Sequence, residues 1–127
     1  MHIDVNQNAR ADLDALWATE PAAAATVEVT LQEMQGDPRI VDKLTQHGEN
    51  VVGGARLNVK RWVEAKRPAN VWRFRILDTP ATSYRVVYGY HWQTRQLCVL
   101  AVVHKDHFDY ELDSILGRRI MADWASL

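Results

Sequence analysis

Arg73 and Arg75 stand two apart in the string Trp72-Arg73-Phe74-Arg75-Ile76, where apolar residues alternate with the arginines. On a strand, residues i and i+2 leave the same face. The pattern therefore sets two guanidinium groups side by side and predicts an open face there, because burying unpaired cations is very costly. Arg85 follows in Tyr84-Arg85-Val86-Val87-Tyr88, and a third apolar run, Leu97 to Val103, ends in His104-Lys105 with Tyr110 shortly after. Arginine forks hold phosphate oxygens in two-point contacts. Tyrosine and tryptophan stack on bases, and histidine exchanges protons near neutral pH. Together these residue types suit a phosphate-rich ligand. The plainer alternative pairs Arg73 and Arg75 with carboxylates of the N-terminal region and makes His104 a strand end whose ring bonds a backbone carbonyl.

Charge is unevenly spread. The chain carries a net charge of −1, yet residues 1–55 hold nine acids against three bases, and residues 56–105 hold ten bases against two acids. A basic middle segment in a nearly neutral protein points to a local anion-binding surface. Counter-charges folded back from the acidic half would give the same totals.

The elements that must carry these residues follow from periodicity. Asn6 or Asn8 can cap a first helix with Ala9, Leu13, Leu16 and Trp17 on one face. Thr19-Glu20-Pro21 starts a second, with Ala23, Val27, Leu31 and Met34 as its apolar stripe and Gly36 and Pro38 at its end. Residues 45–70, punctuated by Gly48, Gly53 and Gly54, fit neither period and stay open between a strand and a short helix. From Val71 the period becomes two, and three strands joined by short turns form an antiparallel meander. Tyr84, Tyr88 and Tyr90 share a face with Val86 and read as core. A last helix is expected near Asp109, with Leu112, Ile115, Leu116, Ile120 and Trp124 facing inward. Trp17, Trp62 and Trp124 read as packing anchors. Helices followed by consecutive strands give an α+β fold: an N-terminal helical hairpin on a small antiparallel sheet, with a C-terminal helix.

The 127 residues suit one domain, spanning 1–127. No run of about eighteen apolar residues occurs, so no membrane span is expected. The N-terminus lacks the basic and apolar regions of a secretion signal. A single cysteine, Cys98, excludes an internal disulfide and a thiolate zinc cluster, and a cytoplasmic protein is the simplest expectation. His2, His47, His91 and His107 show no ligand spacing, and no strand would aim His104 and His107 at one metal, so neither metal nor cofactor is expected.

In their order and spacing, Trp72-Arg73-Phe74-Arg75-Ile76, Tyr84-Arg85-Val86-Val87-Tyr88 and the run Val99 to Lys105 leading to Tyr110 resemble the RelE/ParE toxin superfamily. The two helices before the sheet and Lys43-Leu44 between them and it also match that pattern. The resemblance covers most of the chain, with 45–70 longer than usual and the C-terminal helix extended. It implies the toxin of a type II toxin-antitoxin pair, a ribosome-dependent endoribonuclease that cuts mRNA and is silenced by a cognate antitoxin. On that basis Arg85 stabilises the charge of the phosphorane, and His104 does the acid–base work. Lys105 adds charge near the leaving group, and Tyr110 stacks on a base or orients the nucleophile. Arg73 and Arg75, with Lys60 and Arg61, clamp RNA. Members of the RelE pattern often carry lysines where Arg73 and Arg75 stand. Arginine stays protonated and is a poor general base. Two alternatives keep the fold: a ParE-like inhibitor of DNA gyrase that cleaves nothing, and a catalytically degenerate relative that binds nucleic acid or a partner.

Overall fold

The computed structural model describes residues 3–63, 69–108 and 111–127. The strands are β1 (Ile3–Val5), β2 (Gly48–Val52), β3 (Ala55–Arg61), β4 (Val71–Ile76), β5 (Tyr84–His91) and β6 (Gln96–His104). The helices are α1 (Gln7–Thr19), α2 (Pro21–Gln35), α3 (Ile40–Leu44) and α4 (Ile115–Ala125), with a 3₁₀ turn over Lys105–His107. The architecture is α+β, and the six strands form one mixed sheet in the order β1-β6-β5-β4-β3-β2. β1 pairs parallel to β6, and every other pair is antiparallel.

The expected helical hairpin is present. Asn6 caps α1 by accepting the Asn8 N–H at 2.8 Å, Pro21 opens α2, and Gly36 closes it. Ala9, Leu13, Leu16, Val27, Leu31 and Met34 bury their stripes against one face of the sheet, where they meet Leu57, Val59, Phe74, Ile76, Val86, Tyr88, Leu97 and Val99. Tyr84 and Tyr90 pack beside this core, and the Tyr88 hydroxyl donates to the Leu44 carbonyl at 2.5 Å. Trp17 departs from its expected role as an anchor, since 42% of it is exposed on the outer side of α1.

Three expectations need correction, two about the sheet and one about the last helix. The sheet is larger than a three-stranded meander, because residues 48–61 form a hairpin on the β4 edge. Gly53 turns that hairpin with φ of +57°, a left-handed conformation that favours glycine. It is not wholly antiparallel, because Ile3–Val5 pairs beside β6. The last helix begins later than expected, at Ile115, where the Ser114 hydroxyl accepts the Gly117 N–H at 3.0 Å. Asp109, the anticipated start, lies outside the described residues. Ile115, expected to face inward, is 90% exposed.

The other face of the sheet is covered in part. α4 lays Ile120, Leu116 and Trp124 against Cys98, Leu100 and Val103, and Trp62 meets Phe108 edge to face at 5.3 Å over Val71 and Val87. Beyond Val99, where β1 ends, β6 has no strand on its outer side among the described residues. There the Asp12 carboxylate of α1 accepts the Val102 N–H at 3.1 Å, while Arg119 of α4 donates to the Leu100 carbonyl at 3.2 Å. Asp12 and Arg119 also join each other through two hydrogen bonds of 3.1 and 2.7 Å. Side chains thus satisfy an edge that would otherwise offer unpaired backbone groups.

Candidate nucleic-acid interface

Alternation along β3, β4 and β5 sorts their residues onto two faces. Leu57, Val59, Phe74, Ile76, Val86 and Tyr88 turn to the helical hairpin. Lys60, Arg73, Arg75 and Arg85 therefore leave from the opposite face. The register groups them: Lys60 lies opposite Arg73, Asn58 opposite Arg75, and Glu49 opposite Asn58. Phe74 faces Val86, so one step further along the same register Arg75 comes opposite Arg85. With strands about 4.8 Å apart, four cations share one patch spanning three strands. Like charges placed across a sheet repel unless a counter-charge or a bound anion lies among them.

The acids of α1 and α2 do not lie under this patch, although Glu49 on β2 shares its face. α1 and α2 cover the other face, where Arg10 pairs with Glu28 and Asp14. Lys43 donates to Asp37 at 2.6 Å, which holds the Asp37 carboxyl below its ordinary range. Arg56 pairs with Asp78 at the rim of the sheet. Among the described residues, Lys60 and Arg75 have no ion-pair partner. Arg85 is oriented by its own turn, its Nη1 donating to the Thr82 carbonyl at 3.1 Å and the Tyr84 carbonyl at 3.3 Å.

The remaining candidates go elsewhere. His104 pairs with Tyr84, while Arg85 pairs with Val103, so His104 and Arg85 occupy opposite faces. The His104 ring sits edge to face on Tyr84 at 5.2 Å and 5.6 Å from the ring of His107. Its Nδ1 accepts the Asp106 N–H at 3.2 Å. A cavity of about 360 Å³ opens beside it, with Asp12, Leu16 and Thr19 of α1 and with Tyr84 in its wall. Burial, and secondarily Glu20, raises the Tyr84 phenol, which stays protonated at neutral pH. Lys105 is exposed, its N–H held by the Ser83 carbonyl at 2.8 Å. Arg61 lies opposite Trp72, on the helix side and away from Lys60. Tyr110 lies outside the described residues. The sheet thus gathers Arg73, Arg75, Arg85 and Lys60, and separates His104 and Arg61 from them.

Sequence reasoning missed Asn58 and Glu49 on the basic face. The alternation of Leu57 and Val59 with Asn58 and Lys60 was the available signal. It also missed the Asp12–Arg119 bridge, which no local pattern announces. No model of a known family matches the chain, and neither do curated proteins or solved structures.

Proposed function

We propose that this chain is a RelE/ParE-like toxin that holds nucleic-acid phosphates on the sheet face bearing Lys60, Arg73, Arg75 and Arg85. The observation that carries this is their convergence on one face while the acid-rich helices occupy the other. Arginine forks on a firm sheet hold phosphate oxygens in two-point contacts, and a sheet positions them better than a loop would. The favoured substrate is mRNA on the ribosome. The ribose 2′-hydroxyl gives up its proton and attacks the adjacent phosphorus to form a 2′,3′-cyclic phosphate, while the P–O5′ bond breaks and the departing 5′-oxygen takes up a proton. Arg85 and Arg75 would bind the extra negative charge of the phosphorane. A cognate antitoxin would silence the protein by laying an acidic segment across the same face.

A second reading, binding without cleavage as in a gyrase inhibitor or a degenerate relative, is favoured by one observation: His104 faces away from the arginines. Primer extension on mRNA in a purified translating system separates the two. Codon-positioned cuts that require ribosomes and disappear in Arg85→Ala support the nuclease. Intact mRNA with folded wild-type protein excludes it, and gyrase supercoiling is then the assay to run.

A further inference from the structure

At the far end of β5 the chain builds an aromatic recess that the basic face does not explain. Trp92, in the β5–β6 turn, is 67% exposed, a large apolar surface to leave in water. Beside it the His91 ring stacks on Trp124 of α4, with centroids 5.5 Å apart and planes inclined by 25°. His91, Trp92, Gln93 and Trp124 line a cavity of about 300 Å³. His91 Nδ1 is buried and has no hydrogen-bond partner among the described residues. Trp124 reaches its place because Gly89 has no side chain: a Cβ there would lie 2.6 Å from the indole.

These features narrow the occupant. Flat aromatic walls accept a flat ring. The Gln93 amide in the wall offers a donor and an acceptor to a ligand with polar atoms at its edge. An aliphatic side chain would match neither the flat rings nor the Gln93 amide. A cation would find indole faces but no carboxylate among the residues lining the cavity. A nucleobase has both the π-face and the polar edge. His91 lies two residues beyond Gly89 on β5, whose cross-strand partner Cys98 belongs to the α4 side, so the recess opens on the same face as Arg73, Arg75 and Arg85. Six residues of strand put it about 20 Å from Arg85. The Trp62–Phe108 pair stands on the face between them, so the two are separate subsites for one extended strand.

We propose that the recess formed by His91, Trp92, Gln93 and Trp124 stacks one unpaired base of an RNA strand whose phosphates lie on the arginines, an inference that rests on the nucleic-acid reading above. The test is fluorescence anisotropy of a labelled single-stranded oligoribonucleotide on the full chain over a series of salt concentrations. Trp92→Ala is expected to weaken binding by roughly 5- to 150-fold, the range of a lost base–aromatic stack, with the salt dependence unchanged. Trp92→Phe should restore most of the affinity, and the exposure of Trp92 means that neither variant should alter the melting temperature. Arg75→Ala should instead lower the slope of log affinity against log salt by about one. RNA binding that responds to Arg75→Ala but not to Trp92→Ala overturns the base subsite alone. An absence of RNA binding by folded wild-type protein overturns both readings.

Discussion

Tyr84 and His104 face each other across β5 and β6, their rings edge to face at 5.2 Å, on the side of the sheet opposite Arg85. A group on that side cannot share a phosphate with Arg85 through a β-sheet. His104→Gln is therefore expected to change RNA affinity by less than about twofold, as for independent sites. Arg85→Ala should weaken it by about 10- to 100-fold, the worth of a charge-assisted hydrogen bond. Cleavage lost in His104→Gln with binding intact would show instead that the substrate reaches the cavity beside α1.

Asp12 and Arg119 tie α1 to α4 around the unpaired edge of β6, and both are largely shielded from water. Removing either leaves the other charge and one backbone group short of a partner. Arg119→Ala and Asp12→Ala are each expected to lose about 1–3 kcal/mol. The double variant should lose less than the two added together. Urea unfolding of the four proteins measures this coupling, and strict additivity would show that the bridge contributes nothing.

Gly89→Ala should displace Trp124, because the new Cβ would lie within 2.8 Å of two indole carbons. Overpacking of this kind costs about 1–3 kcal/mol. A lower urea midpoint with a red-shifted tryptophan emission is the expected signature, and an unchanged spectrum would show that α4 gives way easily.

Burial, reinforced by Asp4, raises the Cys98 thiol from 9.0 to about 11. The folded state thus favours the neutral thiol. Its contribution is complete below pH 9 and fades as the pH rises toward about 11. Wild-type stability should fall more steeply than that of Cys98→Ala across this window. At pH 8 a thiol reagent should label Cys98 only after unfolding. Rapid labelling of the native protein would contradict this burial.

Much of the molecule was legible from local pattern. Period two in 71–76 and 84–90 marked strands and set Arg73 and Arg75 on one face, because alternation is a property of the backbone itself; that Arg85 joins them needed the β4–β5 register. Helical spacing from Ala9 to Met34 likewise defined the hairpin. The β2–β3 hairpin was hidden, since Gly48 and Trp62 interrupt the alternation around Leu57 and Val59. β1 was hidden as well, because three residues make a strand only when a distant partner is supplied, here Leu97 to Val99.

The amino-acid order alone determined the fold class and the spacing of the arginines, both of which rest on short-range periodicity. Tertiary structure decided which side His104 takes. Val87 pairs with Ala101 and Tyr88 with Val99, which leaves Leu100 as the extra residue of a β-bulge. Leu97 and Val99 face the helical hairpin, and unbroken alternation would carry His104 to the arginine side. The added residue shifts the alternation by one, so Val102 and His104 turn to the helices while Leu100 and Ala101 are both buried on the α4 side. A bulge exists only in the pairing of two strands, and so the position of His104 could not be read from β6 alone.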